Sequence, residues 1–380
     1  MKFLSEFCVL LMILLSGSIR LYLEFSVIFV PVLLFLSGIL FLKYGDRHSS
    51  YNLRLLSFLL IIPLINIVFI NPHLESNLVY VCLMFVLSGF FIISSFDFEN
   101  FRVTWIKYVR WLCLVSIIIQ ICHDYGGLPA GSIDVRGCNT TLYFFNCDWG
   151  EHRLSSIYWE PGQFQIILIF TLCLFTDKFG NMENKQKWLK EWGVIILALL
   201  MTVSTTGYLA FIILLSGLLF SSYRFNARKT HRHWIFFIPV FVIMFALWKS
   251  DAVQEKVEQS EDTGNQHTSA AIRIADNIAL YNVTMDSPFV GYGIDTYEQN
   301  RKKDEYGSIT SSNGWLYASS AFGLIYVGLI LLLMYRRVSY MPRVFPSFII
   351  WLSLFISQCN EYIIFFPYIY LYLFKFQKSR

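Results

Sequence analysis

The run VYVCLMFVLSGFFIISS, residues 79–95, decides the fold, because no charged residue interrupts it. A helix needs ~20 apolar residues to cross ~30 Å of hydrocarbon, whereas a membrane β-barrel strand alternates apolar and polar positions over ~10 residues. The run is continuous, so it reads as a helix. Comparable runs recur along the chain, at approximately residues 3–20, 24–42, 55–71, 109–122, 157–176, 192–204, 206–221, 233–248, 314–335, 343–357 and 361–375. With residues 77–96 they predict an all-α, polytopic transmembrane helical bundle of eleven to twelve spans. Composition agrees: only 15% of residues are charged, against ~25% in a typical soluble domain. The formal charge of +4 is scattered over short loops and forms no basic patch beside aromatic platforms, which argues against a nucleic-acid partner. Residues 1–20 carry one early Lys and an apolar stretch but no small-residue cleavage site, and read as an uncleaved first helix.

Loops at 43–54, 97–108, 177–191, 222–232 and 336–342 are short and rich in Lys and Arg, which assigns them, and with them both termini, to the cytoplasmic side of a bacterial inner membrane. Residues 192–221 lie between two of these basic loops, so they must enter and leave on one side. Ser204-Thr-Thr-Gly207 interrupts the run, and a hairpin of two short helices with a polar tip is expected, a backbone break at membrane depth being tolerated where protein or a water-filled cavity covers it. Five organisational units follow: spans one to five (1–122), a periplasmic loop (123–156), spans six to nine with the hairpin (157–248), a large periplasmic loop (249–313) and the last three spans (314–380). The large loop holds 11 Asp and Glu against 6 Lys and Arg, a net −5, so positive charge does not oppose its translocation. Within it residues 269–285 read as a helix whose apolar stripe is Ile274, Ile278, Tyr281 and Met285, leaving Arg273, Asp276 and Asn277 off the stripe to face a cavity.

Six of the eight cysteines sit in or at the ends of apolar spans as small hydrophobes. Cys138 and Cys147 fall in the first periplasmic loop and are the disulfide candidates. The seven histidines show no ligand spacing, and no metal or other cofactor is expected. Gly291-Tyr-Gly293 lacks the third glycine and the βα context of a dinucleotide fingerprint, and reads as a turn.

The stretch Arg153-Leu-Ser-Ser-Ile-Tyr-Trp-Glu-Pro-Gly-Gln-Phe-Gln165 puts an arginine and a carboxylate where the sixth span begins. Ionisable residues at membrane depth are costly and point to function; a helix-start carboxylate beside a snorkelling arginine is the structural alternative. Pro161 suits a first helical turn, and Glu160 before it lies near the positive end of the helix dipole. Tyr158, Trp159, Tyr292, Tyr297, Trp315 and Tyr317 could stack on sugar rings, or form an interfacial aromatic belt.

Taken in order, Arg153 with Glu160-Pro-Gly162, the Ser204-Thr-Thr-Gly207 tip, Arg273 followed by Asp286-Ser-Pro-Phe-Val-Gly-Tyr-Gly293, and Asn313-Gly-Trp-Leu with Gly323 resemble the O-antigen polymerases and the related O-antigen ligases. These enzymes elongate or transfer polysaccharide carried on polyprenyl pyrophosphate. In the ligase branch a histidine precedes the asparagine of the closing element; here that position is Ser312, which leans the resemblance towards a polymerase. It implies metal-independent glycosyl transfer at the periplasmic face, with an undecaprenyl-pyrophosphate-linked oligosaccharide as substrate, membrane lipids around it, and a chain-length regulator and flippase as partners.

For such a reaction Arg153 and Arg273 would hold the diphosphate, since the guanidinium fork pairs bidentately with phosphate oxygens. Glu160 would be the base, with Asp276, Asp295 and Glu361 as weaker candidates. Asp276, Tyr292, Asn313, Trp315 and Thr206 would line the substrate site. The rival of a different class is a transporter or flippase of lipid-linked oligosaccharide, whose repeats and paired broken helices this chain does not display.

Overall fold

The computed structural model describes residues 2–46, 49–65, 69, 77–129, 133–135, 138–147, 152–179, 185–225, 269–293, 313–343, 345–359 and 367–377. Span 233–248, Asp295, Tyr297 and Glu361 lie outside them. The described residues form a helical assembly with one small hairpin. Its first half holds α1 (Lys2–Leu14), a π-helix (Ile19–Glu24), α2 (Ser26–Tyr44), α3 (Ser50–Ile65), α4 (Asn77–Ser95) and α5 (Phe98–Gly126). Strands β1 (Ile133–Val135) and β2 (Cys138–Thr140) pair antiparallel. Then come α6 (Pro161–Leu174), α7 (Thr176–Phe179), α8 (Lys185–Met201), α9 (Thr205–Phe225), α10 (Ser269–Asp286), α11 (Gly314–Phe322), α12 (Leu324–Ser339), α13 (Ser347–Ser357) and a 3-10 helix (Pro367–Tyr372).

Helix α6 is the centre. Every residue in it except Gly162 is buried, which a helix achieves only when neighbours surround it. Helices α9 and α13 pack on it and on each other, α13 running antiparallel to both. The direction follows from side-chain contacts: Gln165 Nε2 donates to Ser357 O at 2.7 Å, Ser353 Oγ to Ala210 O at 2.8 Å, and a Cβ on Gly217 would lie 2.9 Å from Ile349.

The outer helices turn large apolar side chains outward. On α2, Val27, Ile28, Phe35 and Leu42 are exposed while Val30, Leu33, Ser37 and Leu40 are buried; on α5, Trp111, Leu114, Ile118 and Ile121 are exposed. Exposed apolar faces of this extent suggest a membrane protein. Among the described residues α2 and α5 are long and apolar enough to cross a membrane by themselves, and six shorter apolar helices accompany them.

Several expected boundaries move, each for a local reason. The first span ends at Leu14 and not at residue 20, because Gly17 adopts φ +103° and the chain turns before the π-helix. The loop expected at 97–108 is instead the start of α5: Asp97 caps the helix by accepting from Asn100 N at 3.0 Å. The tenth span is divided at Gly323 into α11 and α12. The described part of the last span is a 3-10 helix opened by Pro367. The hairpin of residues 192–221 is present, with its break at Thr202–Ser204, and both arms run beyond the apolar run.

One end of the bundle gathers its basic residues. Arg102, fully buried, pairs with Asp177 through both carboxylate oxygens and with Glu99 at 2.8 Å, and its guanidinium lies 4.5 Å from the Phe175 ring centroid. Lys178 reaches Glu99 at 3.0 Å, and Lys375 lies over Tyr51 at 4.1 Å. Replacing Arg102 by Leu strands Asp177, a partner 27% exposed, so a loss near the low end of the buried-pair range, about 3 kcal/mol, is expected. The unfolding midpoint of the purified protein in detergent measures it. Arg102→Lys should recover little, since a point charge cannot hold both carboxylates as the fork does.

Candidate functional site

The opposite end carries the irregular segments, and they satisfy each other's backbone. The strand-like stretch before α6 is held from three sides. From the π-helix, Ile19 N donates to Ile157 O at 2.9 Å, and Ser18 bridges Tyr158. From the first loop, Asn146 N donates to Ser156 O at 2.8 Å, while its side-chain amide, 2% exposed, donates to Tyr158 O at 3.3 Å and Trp159 O at 2.9 Å. From the α8–α9 tip, Met201 O accepts from Leu154 N at 2.9 Å.

Arg153 lies against that same tip: Nε donates to Thr202 O and Nη2 to Val203 O, both at 3.3 Å. These carbonyls close the C-terminal end of α8, where the helix dipole favours a cation. Thr206, two residues past the break, contacts Ser204 Oγ at 3.2 Å, so Arg153 and Thr206 meet at one tip. Gly207 lets α9 approach α6 closely there: a Cβ would sit 3.0 Å from Gln165 Oε1.

Glu160 occupies the N-cap position of α6 without capping it. Its Oε1 accepts from Trp159 Nε1 at 3.3 Å, and Trp159 faces Tyr22 with ring centroids 6.1 Å apart. Among the described residues no other side chain holds this carboxylate. The helix instead takes its N-terminal bonds from the Glu160 carbonyl, which accepts from Gln163 N at 3.2 Å.

The second group of expected residues assembles on α10, α11 and the turn between them. Asp276 is fully buried, on the α10 face that also carries Leu280, Val283 and Thr284, and α10 packs against α11. Arg273 is on the same helix one turn earlier; its side chain lies outside the described residues. Of the expected apolar stripe, Ile278, Tyr281 and Met285 point outward, while Asp276, expected off that stripe, faces the protein. The glycine motif is a turn, and a structural lock. Tyr292 N donates to Ser320 O at 2.8 Å, Gly293 N to Ala321 O at 2.9 Å, and Leu324 N to Pro288 O at 2.7 Å. Gly291 and Gly323 both have positive φ, at +71° and +85°, and a Cβ on either would come within 2.5 Å of facing backbone.

Asn313 and Trp315 have structural duties at this end. Asn313 caps α11, its Oδ1 accepting from Trp315 N and Leu316 N at 3.2 Å. Trp315, 5% exposed, stacks on Phe355 at 5.5 Å and donates to Phe355 O at 3.1 Å; it is packed, as are Tyr158 and Tyr317, and none of the three offers an open ring face. Yet this packing joins the two groups. Phe355 and Ser357 end α13, Ser357 binds Gln165 and Gln165 abuts Gly207, so the N-termini of α6, α9 and α11 gather around the C-terminal end of α13.

Sequence reasoning passed over Arg20 and Asn146. Arg20, 2% exposed, pairs with Glu24, donates to Tyr143 O at 2.8 Å and lies 4.0 Å from the Tyr143 ring centroid. Its signal was its isolation, a charge between two spans away from the basic end. Cys147 is buried; Cys138 is in β2 with its side chain outside the described residues, so the candidate bridge is not seen. No group of His, Cys, Asp and Glu able to hold a metal occurs among the described residues.

Residues 193–333 match a protein family described as O-antigen ligase. The matched segment runs from within α8 to within α12, and so contains the tip, Arg273, the glycine turn and the Asn313 cap. It supports placement in the superfamily of O-antigen ligases and polymerases, membrane enzymes of surface-polysaccharide assembly, and does not separate the two branches. No curated protein matches the chain.

The glycine lock has a direct test. Gly291→Ala and Gly323→Ala should each cost at least about 2 kcal/mol, from backbone strain and overpacking. Gly328→Ala, where a Cβ meets nothing within 4 Å, should gain up to about 1 kcal/mol from helix propensity. Thermal unfolding of the three purified variants reads the contrast.

Proposed function

We propose that this protein is a polysaccharide polymerase, transferring a glycan chain from polyprenyl pyrophosphate to the hydroxyl of a lipid-linked repeat unit at the periplasmic face of the inner membrane. The observation that carries the reading is the convergence of three helix N-termini, those of α6, α9 and α11, at the end where Glu160 and Arg153 stand. Helix N-termini present positive partial charge and favour oxyanions, and the leaving group of this reaction is a diphosphate.

The chemistry needs few parts. The acceptor hydroxyl oxygen attacks the anomeric carbon and the new glycosidic bond forms. The bond from that carbon to the diphosphate breaks, its electron pair leaving on the phosphate oxygen. Glu160 takes the acceptor proton; Trp159 fixes its Oε1, which leaves Oε2 to meet the hydroxyl. Arg153 and Arg273 stabilise the charge that grows on the diphosphate. Arg20, held by Glu24 and Tyr143, keeps the first loop against the segment that leads to Glu160. Asp276, Tyr292, Asn313, Trp315 and Thr206 act on substrate through the walls they build.

Sidedness rests on charge. The basic end around Arg102 and Lys375 is assigned to the cytoplasm with both termini, and the Glu160 end to the periplasm, in a topology of about twelve spans. A chain-length regulator and a flippase are the partners. A ligase, which would hand the glycan to lipid A-core, is the second reading, favoured by the description of the matched family; Ser312 at the position of the ligase histidine weighs against it.

The deciding experiment deletes the gene in its host and complements it with wild type, Arg153→Ala, Glu160→Gln or Arg273→Ala at matched membrane levels. Lipopolysaccharide carrying a single repeat unit, with the longer ladder lost in the null and reduced ~100-fold or more in each variant, is the expected result. Bare core with polymer retained on the carrier would make the protein a ligase. An unchanged ladder in the null would overturn both.

A further inference from the structure

Helix α10 packs one face on α11 and leaves a second, apolar stripe exposed. Asp276, Leu280, Val283 and Thr284, all 5% exposed or less, form the packed face. On the other side Ile278 is 57% exposed, Tyr281 53% and Met285 45%, and the stripe continues past the helix end into Phe289 at 68% and Val290 at 45%. From Asn277 to Met285 the sequence holds no Asp, Glu, Lys or Arg. The same side also carries exposed Asn282 and, at the helix end, exposed Asp286, so it is amphipathic, as an interfacial helix is.

The neighbouring helix says what covers this stripe. Leu324 N donates to Pro288 O at 2.7 Å, which fixes the end of the stripe beside the start of α12. That helix turns Leu324, Ile325, Leu329 and Leu332 outward, the side chains it presents to lipid. The exposed end of the stripe and the exposed start of α12 are thus neighbours at Pro288–Leu324. Tyr281 has the amphipathic character of a residue at the headgroup level. We infer that α10 is seated in the outer boundary of the bilayer, with Ile278, Tyr281, Met285, Phe289 and Val290 in contact with acyl chains and the Asp276 face on the protein.

The consequence is positional. An interfacial helix of this kind is held at a fixed depth by the apolar area it buries, and α10 carries Arg273. The lipid surface then sets the height of that arginine above the bundle. The inference stands apart from the glycosyl-transfer reading, because it concerns only where the helix lies.

Native membrane vesicles containing the full chain are supplemented with a phospholipid bearing a diazirine on its acyl chain, irradiated, and mapped by mass spectrometry. Hydroxyl-radical footprinting of parallel vesicles reads Tyr281 and Met285. Acyl adducts on residues 278–290 at yields comparable to those on Ile325 and Leu332 are expected, with Tyr281 and Met285 oxidised no faster than the buried Tyr326 and Met334. Adducts on α12 alone, with Tyr281 and Met285 oxidised as fast as Tyr125, which is 82% exposed, would overturn the inference. So would adducts on α12 alone with the stripe protected from radicals, since a second copy or another protein would then cover it.

Discussion

Inside a membrane bundle every backbone N–H and C=O must find a partner within the protein, and the rest of this structure depends on how the chain meets that demand where its helices break. Residues 153–160, the 202–204 tip and the 287–293 turn are all non-helical, and each borrows its partners from other parts of the chain. The carbonyl of Ile157 accepts a hydrogen bond from Ile19 N, that of Met201 from Leu154 N, and that of Ser320 from Tyr292 N. The breaks are therefore mutually dependent. They collect at one end of the bundle because an isolated break elsewhere would leave polar groups in hydrocarbon, at a cost of several kcal/mol each.

The same logic explains why candidate residues so often hold structural posts. Arg153 closes the C-terminal end of α8, Asn313 opens α11, and Trp315 clamps α11 to α13. Such residues bring chemistry to a place because they build the place. Arg20 and Arg102 make the contrast clear, since both are buried arginines paired with carboxylates on opposite ends of the bundle. Arg102 is ringed by acidic partners and aromatic faces, and its work is cohesion. Arg20 binds one carboxylate and one loop carbonyl, and its work is to hold a cover in place.

Much of this was legible in the chain. The uncharged run at 79–95 matches α4, the polar interruption at Ser204 marks the tip, and Pro161 opens α6, because runs, breakers and caps act locally. What escaped was decided by partners distant in sequence. Residues 97–108 look like a basic loop, yet Asp97 caps them into α5 and burial of Arg102 holds them there. The stripe on α10 has the expected period, but periodicity marks an apolar face and is silent on whether protein or lipid receives it. Gly291 and Gly323 carry a turn signal, but their need to be glycine comes from backbone at Ala321 and Phe289 that only the fold brings near.

The bond between Gln165 and Ser357 joins residues 192 positions apart, and Tyr372 OH reaches Phe170 O across 202. Helix α6, which must be surrounded on all sides, thus leaves the ribosome long before the helices that surround it. Until α13 and the 3-10 helix arrive, its glutamines and its apolar faces have only lipid or earlier helices for company. The centre of the protein is therefore among the last parts to mature. Membrane quality control would find it unfinished for most of its synthesis, and a chain halted before residue 357 would present the same polar groups as an assembly that failed.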